Sequence, residues 1–306
     1  MSNSVVVATY NLYLGADLSL VLGDRPPGEM AANLEEVERQ LLATAFDRRA
    51  ELVADALAPH APDLVGLQEV CTWTLEGETL WDFGALVGEA LADRGVAYDV
   101  VCEVPTFGGT AHLGVEAGLP GAITLSGSNA VLRRADSPVQ VGETGRGVFG
   151  EALGVTSLNT DDLAITRGWC GAACEVDGRP FAFVNTHTEA YAADSRNTQR
   201  DELLAAAAGW AGPLVVVGDF NATPADVGMP AEFVDAWVAQ GSGPGLTCCQ
   251  APDLGNPESL LHERIDYVWA RGAEVEEVAL LGEVPLEGPD LRWPSDHAGV
   301  VARLAF

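Results

Sequence analysis

The chain has 306 residues and 48% of them are apolar, enough for a sizeable core, yet no stretch approaches the ~20 consecutive apolar residues of a membrane span. Met1–Ser4 leads directly into a strand-like run without the basic segment and hydrophobic core of a signal peptide, so a cytoplasmic protein with no membrane segment is expected. With 45 acidic residues against 16 basic ones, the net charge of −29 argues against a basic stripe that grips duplex DNA.

The first part of the chain predicts a strand, a long helix and a second strand. Val5–Tyr10 is rich in β-formers, and Asn11 closes this run where a loop begins. From Leu34 to Leu57 apolar residues recur at helical spacing, and Pro59 stops the helix. The apolar run Leu64–Leu67 then reads as a buried strand. Polar side chains therefore follow both strands directly.

Helices and strands continue to alternate through the rest of the chain. Helical patterns cover Phe83–Ala92 and Asn197–Trp210, and Leu214–Val217 is a short buried strand. Thr106–Gly127 is rich in glycine with no clear period, which favours a loop over a site. A strand-helix-strand step in each half predicts two packed sheets with helices on the outer faces, in a single domain spanning 1–306.

Acidic, amide or imidazole side chains lie where several of these apolar runs begin or stop. Such positions are where a sheet presents side chains to a cleft. Their combination predicts a metal-dependent phosphoester hydrolase. The positions are Asn11, Glu69, His187, Asp219 with Asn221, Asp266, and Asp296 with His297.

The ordered blocks around these residues resemble the endonuclease/exonuclease/phosphatase superfamily, which has the DNase I-like fold. The resemblance runs in family order over nearly the whole chain. It implies an α+β fold, a four-layer α/β/β/α sandwich of two packed, mainly antiparallel sheets with helices on the outer faces. The blocks are Asn11, Gln68-Glu69, Thr186-His187, Gly218-Asp219-Phe220-Asn221, Arg264-Ile265-Asp266-Tyr267 and Ser295-Asp296-His297.

The resemblance also implies a divalent cation, Mg²⁺ or Mn²⁺. Glu69 is expected to be the primary ligand, because a hard cation prefers one or two carboxylates together with water and substrate oxygens. Asp296 would be a second ligand, and Asn11 would support the metal or the phosphate through its amide. By the same resemblance, Asp219 binds metal or polarises the attacking water, and Asn221 donates a hydrogen bond to a phosphoryl oxygen.

Two histidines are expected to act on the phosphate from opposite sides. Asp266 would fix the tautomer of the His297 imidazole and stabilise its protonated form, so that His297 serves as general base or holds the phosphate. His187 would hydrogen-bond the phosphate or protonate the leaving group. The remaining histidines lack this context and are expected to be structural: His60, His112 and His262.

Several residues near the site leave two interpretations open. Thr188–Ala190 and the helix start that follows it resemble the bacterial sphingomyelinases locally. In that helix start, Arg196 and Arg200 either contact an anionic substrate or anchor the loop. Three tryptophans are equally suited to stacking on a base, touching lipid or packing the rim: Trp73, Trp81 and Trp293.

The six cysteines predict no zinc site, because the chain contains no Cys-x2-Cys and no matching histidine pair. Reduced, buried thiols are expected. Cys248 and Cys249 lie in a loop rich in glycine and proline, so a redox-active or structural bond between them stays open.

The net charge of the chain affects both the environment and the substrate that we expect for the protein. All 16 basic residues are arginine, which a GC-rich genome explains, but base composition alone does not account for −29. We expect adaptation to concentrated salt, where the screening length of ~3 Å suppresses repulsion from other acidic groups and from nucleic acid. A phosphodiester of nucleic acid or of a small molecule is the first expected substrate, a lipid phosphodiester the second. A non-catalytic phosphate-binding protein is the alternative from another class, and no oligomer is indicated.

Overall fold

The computed structural model describes residues 4–21, 26–111, 123–150, 164–210, 212–285 and 293–306. Within these ranges the chain forms fourteen strands, five α-helices and a 3₁₀ helix, Leu18–Val21. The α-helices are α1 (Pro27–Ala43), α2 (Phe46–Leu57), α3 (Phe83–Asp93), α4 (Ala193–Ala207) and α5 (Ala236–Gln240). The strands are β1 (Ser4–Asn11), β2 (Leu64–Leu75), β3 (Glu78–Asp82), β4 (Tyr98–Ala111), β5 (Ile123–Arg134), β6 (Gln140–Val148), β7 (Ala164–Ile165), β8 (Gly168–Val176), β9 (Arg179–His187), β10 (Leu214–Asp219), β11 (Val234–Asp235), β12 (Asp266–Arg271), β13 (Glu274–Leu281) and β14 (Gly299–Ala305).

These strands build two sheets. In the described part of the chain, the first sheet has the order β13-β14-β1-β2-β5-β4-β7, with β3 beside β2, and the second has the order β11-β12-β10-β9-β8-β6. The pairs β1–β2 and β9–β10 are parallel, whereas pairs such as β1–β14, β2–β5 and β10–β12 are antiparallel. The predicted mainly antiparallel pair of sheets is confirmed.

The core between the sheets comes from alternate residues of each strand. Val215 and Val217 of β10 pack against Val7 of β1 across the interface, while Val216 points to the other face and packs against Leu203 of α4. Successive side chains of a strand point to opposite faces, so a run of consecutive valines is buried on both sides. An apolar run without alternation thus marks a strand that is covered by the other sheet and by a helix.

Helices cover the outer faces of both sheets. Tyr10 and Leu67 on the outer face of the first sheet pack against Phe46 of α2 and Phe83 of α3. On the second sheet, α4 takes this place. The result is the four-layer α/β/β/α sandwich expected from the sequence. Among the described residues, no helix is both long and apolar enough to cross a membrane.

The prediction of one continuous helix over Leu34–Leu57 is wrong, because the structure has two helices there, α1 and α2, separated by Thr44 and Ala45. At the break, the Thr44 hydroxyl donates to the Gly15 carbonyl at 2.7 Å, and the Thr44 carbonyl accepts from Arg49 Nε at 2.7 Å. Side-chain hydrogen bonds of this kind replace the next helical bonds. The helical spacing of apolar residues continues across the break, so the sequence pattern gives no sign of the break.

The glycine-rich segment Thr106–Gly127 differs from the predicted loop at both ends. Strands β4 and β5 pair as far as Ala111 and Ile123. Residues 112–122, including His112, lie outside the described residues. Much of the segment therefore forms a long antiparallel pair.

Candidate active site

Strand register gathers the polar residues of the second sheet into one row. Asp219 at the end of β10 is paired with His187 at the end of β9 and with Asp266 at the start of β12. In the first sheet, Asn11 at the end of β1 is paired with Gln68 of β2. The two rows face a common cleft, so residues far apart in sequence become neighbours through pairing of their strands.

Glu69 reaches the cleft through an irregularity in β2. The register of β2 with β5 shifts between Leu67 and Val70, and Glu69 has a φ of 53°, in the left-handed region that non-glycine residues rarely adopt. Its carboxylate accepts from the Leu14 amide at 2.7 Å. A bulge of this kind re-aims a side chain at a functional site, at some cost in backbone energy.

Asn11 connects the carboxylates of the two sheets. Its Nδ2 donates to Asp219 Oδ2 at 3.0 Å and lies 3.5 Å from Glu69 Oε1. Its Oδ1 accepts from the Tyr13 amide at 2.9 Å. The amide therefore positions two acids, and its direct support of a metal or phosphate stays a prediction.

Asp266 and His297 form the expected pair. Asp266 Oδ2 lies 2.8 Å from His297 Nδ1, and both side chains are buried. Burial acts to lower the pKa of the imidazole, but the carboxylates of Asp266 and Asp296 outweigh it and raise that pKa well above its usual value. The other ring nitrogen, Nε2, lies 3.9 Å from oxygens of Asp219 and Asp296.

The acids of the cleft bind protons strongly in this environment. Burial, together with the charge of Asp266, raises the pKa of Asp219 from 3.8 to about 7. Burial likewise raises the pKa of Asp296 from 3.8 to about 6. A cation bound beside these carboxyls would favour their ionised forms and lower both pKa values.

The donor set fits a divalent metal. Ligand atoms of Asp219, Asp266 and His297 all lie within 4.8 Å of one another. Oδ1 of Asp266 is buried and has no hydrogen-bond partner among the described residues. Oxygen and imidazole ligands suit hard and intermediate divalent cations.

His187 is held on the other side of Asp219. Its Nε2 lies 3.4 Å from Asp219 Oδ2, and Nη1 of Arg167 lies 3.2 Å from both ring nitrogens. Burial and the charge of Arg167 lower the pKa of this imidazole well below its usual value. At neutral pH the ring is uncharged.

Arg167 is a site residue that the sequence analysis missed. Its side chain is 13% exposed and lines the cleft, and its Nε faces Glu189 Oε2 at 3.9 Å, beyond hydrogen-bond distance. A sequence signal existed: Arg167 directly precedes β8, whose Gly168 is paired with His187. An arginine directly before the strand that pairs with β9 is a sequence feature that predicts a place beside His187.

Asn221 does not continue the extended segment that ends at Asp219. It lies beyond the end of β10 with a φ of 47°. Its backbone amide donates to Asp219 Oδ1 at 2.8 Å, and its Nδ2 donates to the Thr188 carbonyl at 3.0 Å. The side chain still lines the cleft, because the turn brings it back toward the site.

Arg49 supports the cleft from beneath, and no sequence pattern indicated it. The side chain is fully buried, and burial lowers the pKa of its guanidinium to about 10. It donates to the carbonyls of Leu12, Tyr13 and Pro294 at 2.6, 2.7 and 3.1 Å, in addition to Thr44. One side chain therefore holds the segments that follow Asn11 and precede Asp296.

Buried amides connect the two sheets below the acids. Gln68 Nε2 donates to Asn185 Oδ1 at 2.6 Å, and Asn185 Nδ2 donates to the carbonyls of Leu67 and Ala130 at 2.8 and 2.9 Å. A Cβ on Gly66 would lie 2.6 Å from Val217 and 2.8 Å from Asn185, so the sheets approach closely only because this residue is glycine. These contacts set the distance between the two halves of the site.

The open interpretations resolve toward structural roles. Arg196 donates to the carbonyls of Glu189 and Ala190, and Arg200 donates to Asn197 Oδ1 and the Val227 carbonyl, so both arginines anchor loops. The tryptophans pack within the fold and do not line the cleft: Nε1 of Trp73 donates to the Leu14 carbonyl, Nε1 of Trp293 donates to the Asn256 carbonyl, and Trp81 packs against the outer core. His60 and His262 are exposed and do not line the cleft.

The cleft encloses about 370 Å³ and is lined by both polar and apolar side chains. The polar lining includes Glu69, Asp219, Asp296, His187, His297 and Arg167. Cys248 and Cys249 also line the cleft, and their sulfur atoms are paired as a disulfide, the possibility that the sequence left open. The apolar lining includes Leu14, Leu18, Leu125, Ile165 and Tyr191.

A four-layer sandwich that presents acids and imidazoles at its strand ends defines the DNase I-like class of folds. The model of the endonuclease/exonuclease/phosphatase family matches residues 8–297, so the chain belongs to this family. The resemblance drawn from the sequence is thereby confirmed. No curated protein sequence gives a significant match.

Solved structures agree on the fold. The chain is similar to an endonuclease/exonuclease/phosphatase family protein from Bacteroides thetaiotaomicron, with a TM-score of 0.64 and 19% identity over 100% of this chain and 99% of that one. It is similar to a mannosyl-6-phosphatase from the same organism, with a TM-score of 0.62 and 19% identity over 99% and 100%. D. rerio TDP2 complexed with a single strand DNA product gives a TM-score of 0.61 and 17% identity over 99% of both chains.

Proposed function

We propose that this protein is a divalent-metal-dependent phosphoester hydrolase that cleaves a phosphodiester by in-line attack of water. One observation carries the proposal: Asp219, Asp266 and His297 converge within 4.8 Å in a cleft that Glu69 and Asp296 also line. Phosphoester hydrolysis requires neutralisation of the phosphate charge and activation of a water molecule. A cluster of carboxylates and an imidazole that holds a divalent metal supplies both. Since β1 and the segment before β14 both contribute groups, we propose that the described residues act as one catalytic unit.

Glu69 and Asp296 are proposed as the principal metal ligands, with Asp219 as a further one. Mg²⁺ or Mn²⁺ held there would neutralise charge on the non-bridging phosphate oxygens and stabilise the leaving oxygen. The bulge at Glu69 and the Leu14 amide fix the direction of the Glu69 carboxylate. Asn11 keeps Asp219 and Glu69 together through hydrogen bonds to both acids.

His297 is proposed to hold the phosphate as a cation near neutrality, because its pKa is raised, and to take a proton from the attacking water only at a pH above that raised pKa. Asp266 on Nδ1 directs Nε2 into the cleft and stabilises the protonated ring. Asp219, with a pKa of about 7, is a group that exchanges a proton near neutrality. His187 stays neutral because its pKa is lowered, so we propose that it hydrogen-bonds the phosphate and does not protonate the leaving group.

Arg167 is proposed as a phosphate contact. It supplies positive charge to the cleft wall beside His187, and its Nε is buried without a hydrogen-bond partner among the described residues. An arginine suits phosphate because its guanidinium presents several donors in one plane. Asn221 keeps its proposed hydrogen bond to a phosphoryl oxygen as a weaker element, because Thr188 already accepts from its Nδ2.

The first proposed substrate is a phosphodiester of nucleic acid or of a small molecule. Two of the structurally similar proteins support this range of substrates. D. rerio TDP2 was solved with a single strand DNA product, and another neighbour is a mannosyl-6-phosphatase. The apolar lining, with Leu14, Ile165 and Tyr191, favours a leaving group that carries an aromatic or apolar part. The same lining supports a lipid phosphodiester of the sphingomyelinase type as a second candidate.

A substrate screen tests the proposal. Purified protein with Mg²⁺ or Mn²⁺ in high salt is assayed on bis-p-nitrophenyl phosphate, p-nitrophenyl phosphate, mannose 6-phosphate, single-stranded DNA, plasmid DNA, RNA and sphingomyelin. Asp219→Asn is prepared in parallel, so that activity from a contaminating nuclease is recognised. We expect the diester to be cleaved faster than the monoester, with loss of turnover in excess chelator. Full turnover in chelator contradicts metal dependence, whereas phosphate binding without turnover on any substrate supports the non-catalytic alternative.

A further inference from the structure

Cys248 and Cys249 line the cleft and have no role in the proposed hydrolysis. Cys249 Sγ lies 4.0 Å from His297 Nε2, and the backbone of Cys248 forms antiparallel bridges with both Glu263 and His297. Cys248 is buried, while Cys249 is partly exposed toward the cleft. Backbone pairing thus holds the two sulfur atoms beside the imidazole.

Together these three side chains meet the requirements of a metal site of a different kind. Ligand atoms of Cys248, Cys249 and His297 lie within 4.8 Å of one another. Sulfur and imidazole are ligands that Zn²⁺ and Cd²⁺ accept readily and Mg²⁺ does not. Bonds of ~2.3 Å to sulfur and ~2.0 Å to nitrogen place two ligands of one tetrahedral zinc ion roughly 3.5–4 Å apart. Cys249 Sγ and His297 Nε2 are already near this spacing, and the two sulfur atoms reach it by separating after reduction.

The imidazole is already oriented for such an ion. Asp266 binds Nδ1 at 2.8 Å, which leaves Nε2 facing Cys249. A carboxylate on the far nitrogen of a metal-binding histidine is the usual partner in zinc sites, because it sets the tautomer and strengthens the ligand. The orientation of His297 therefore suits a metal ligand.

We propose that reduced Cys248 and Cys249, together with Nε2 of His297, form a redox-gated binding site for a soft divalent cation such as Zn²⁺ or Cd²⁺. Reduction by two thiols, or by a phosphine with one water, breaks the sulfur–sulfur bond and adds two electrons and two protons, and the reductant is oxidised to its disulfide or to the phosphine oxide that takes the oxygen of the water. Metal binding then displaces the two thiol protons. Closing the disulfide with a diazene such as diamide, which takes up the two electrons and two protons as a hydrazine, removes both sulfur ligands and empties the site.

The soft-metal site and the proposed hydrolytic site share His297, and this gives the soft-metal site a consequence. A soft cation on Nε2 occupies the nitrogen that the hydrolytic site uses. The ion therefore inhibits the reduced enzyme and leaves the oxidised enzyme active. This consequence rests on the proposed hydrolysis, whereas binding of the ion does not.

Cadmium binding to the full-length protein tests the site directly. Protein reduced with a phosphine, and protein oxidised with diamide, are titrated with Cd²⁺ while the ultraviolet sulfur-to-cadmium charge-transfer absorption is recorded. We expect one equivalent to bind to the reduced protein with this absorption and none to bind at the site in the oxidised protein. This comparison needs no variant, so a folding defect does not affect it. Equal absorption in both redox states, or none in either, overturns the proposal.

Variants identify the ligands. Cys249→Ala is expected to abolish the absorption, and Asp266→Asn to weaken cadmium affinity by ~10–100-fold through loss of the supporting carboxylate. Cys102→Ser is the matched control, because Cys102 and Cys170 form another pair of interacting thiols. Absorption that persists in Cys249→Ala, or that disappears in Cys102→Ser, assigns the bound ion elsewhere and overturns the proposal.

The inhibition arm separates the two proposals. With Mg²⁺ and bis-p-nitrophenyl phosphate, Zn²⁺ is expected to inhibit the reduced enzyme and to spare the oxidised enzyme. If the protein shows no hydrolysis but binds cadmium in the reduced state, the proposed function fails and the soft-metal site stands. If hydrolysis is normal and cadmium absorption does not depend on the redox state, the soft-metal site fails alone.

Discussion

Asp219→Asn is expected to stabilise the metal-free protein at neutral pH while it removes hydrolysis. The Asp219 carboxyl is 1% exposed, and burial with the charge of Asp266 raises its pKa from 3.8 to about 7. A shift of about 3 units at 1.36 kcal/mol each means that ionising this group costs the folded state roughly 4 kcal/mol. Asparagine fills the same space without that charge.

The sign of the pH dependence follows from the raised pKa. Between about pH 4 and 7 the folded protein retains the Asp219 proton that the unfolded chain has lost, so the free energy of unfolding decreases as pH rises. His297 acts in the same direction. Its pKa is raised well above 6.5, so its contribution is fully present below that value and is lost as pH rises through the folded-state pKa.

Thermal melts of the metal-free protein between pH 5 and 8 measure the effect. Molar KCl suppresses repulsion among the exposed acids, and Asp93→Asn controls for loss of an exposed carboxylate. The wild-type Tm should fall toward pH 8 and Asp219→Asn should exceed it there, by on the order of 8 °C for 4 kcal/mol. Mg²⁺ should raise the wild-type Tm most at pH 8, where it replaces the lost protons.

Parallel Tm curves for wild type and Asp219→Asn would refute the reasoning, because the carboxyl would then titrate alike in the folded and unfolded states. A Tm difference that Asp93→Asn reproduces would assign the effect to net charge.

Four further outcomes are expected. His297→Ala should lower turnover by ~10²–10⁴-fold with metal binding retained; near-normal rates would transfer the proton-accepting role to Asp219. Glu69→Gln should keep the fold and raise the Mg²⁺ concentration needed for half-maximal activity, and an unchanged metal titration would remove Glu69 from the ligands. Arg49→Met should lower the free energy of unfolding by about 3–5 kcal/mol in urea titrations, because it leaves several buried carbonyls unpaired, whereas Arg48→Met at the exposed neighbour should not. The Tm of the wild type should climb from dilute buffer to molar KCl if the charge of −29 is a salt adaptation, and a flat or falling Tm would favour base composition instead.

Local patterns in the sequence were sufficient for the architecture, and they placed most of the proposed site residues at the ends of apolar runs. Strand and helix periods are short-range properties, so the buried runs of β1, β2 and β10 and the helix over Phe83–Asp93 follow from the spacing of apolar residues. Residues that close apolar runs, such as Asn11 and Asp219, are visible for the same reason. Their meeting in one cleft was inferred from the family pattern, and strand register provides the physical cause.

Only the tertiary structure decided the features that depend on contacts between distant segments. The break at Thr44, the support from Arg49, the position of Arg167 and the approach of Cys249 to His297 all join residues whose separation in sequence carries no periodic signal. Backbone departures such as the bulge at Glu69 are stabilised by packing of the two sheets and not by local preference. Composition and spacing therefore determined which chemistry was present, and sheet packing determined where each group points.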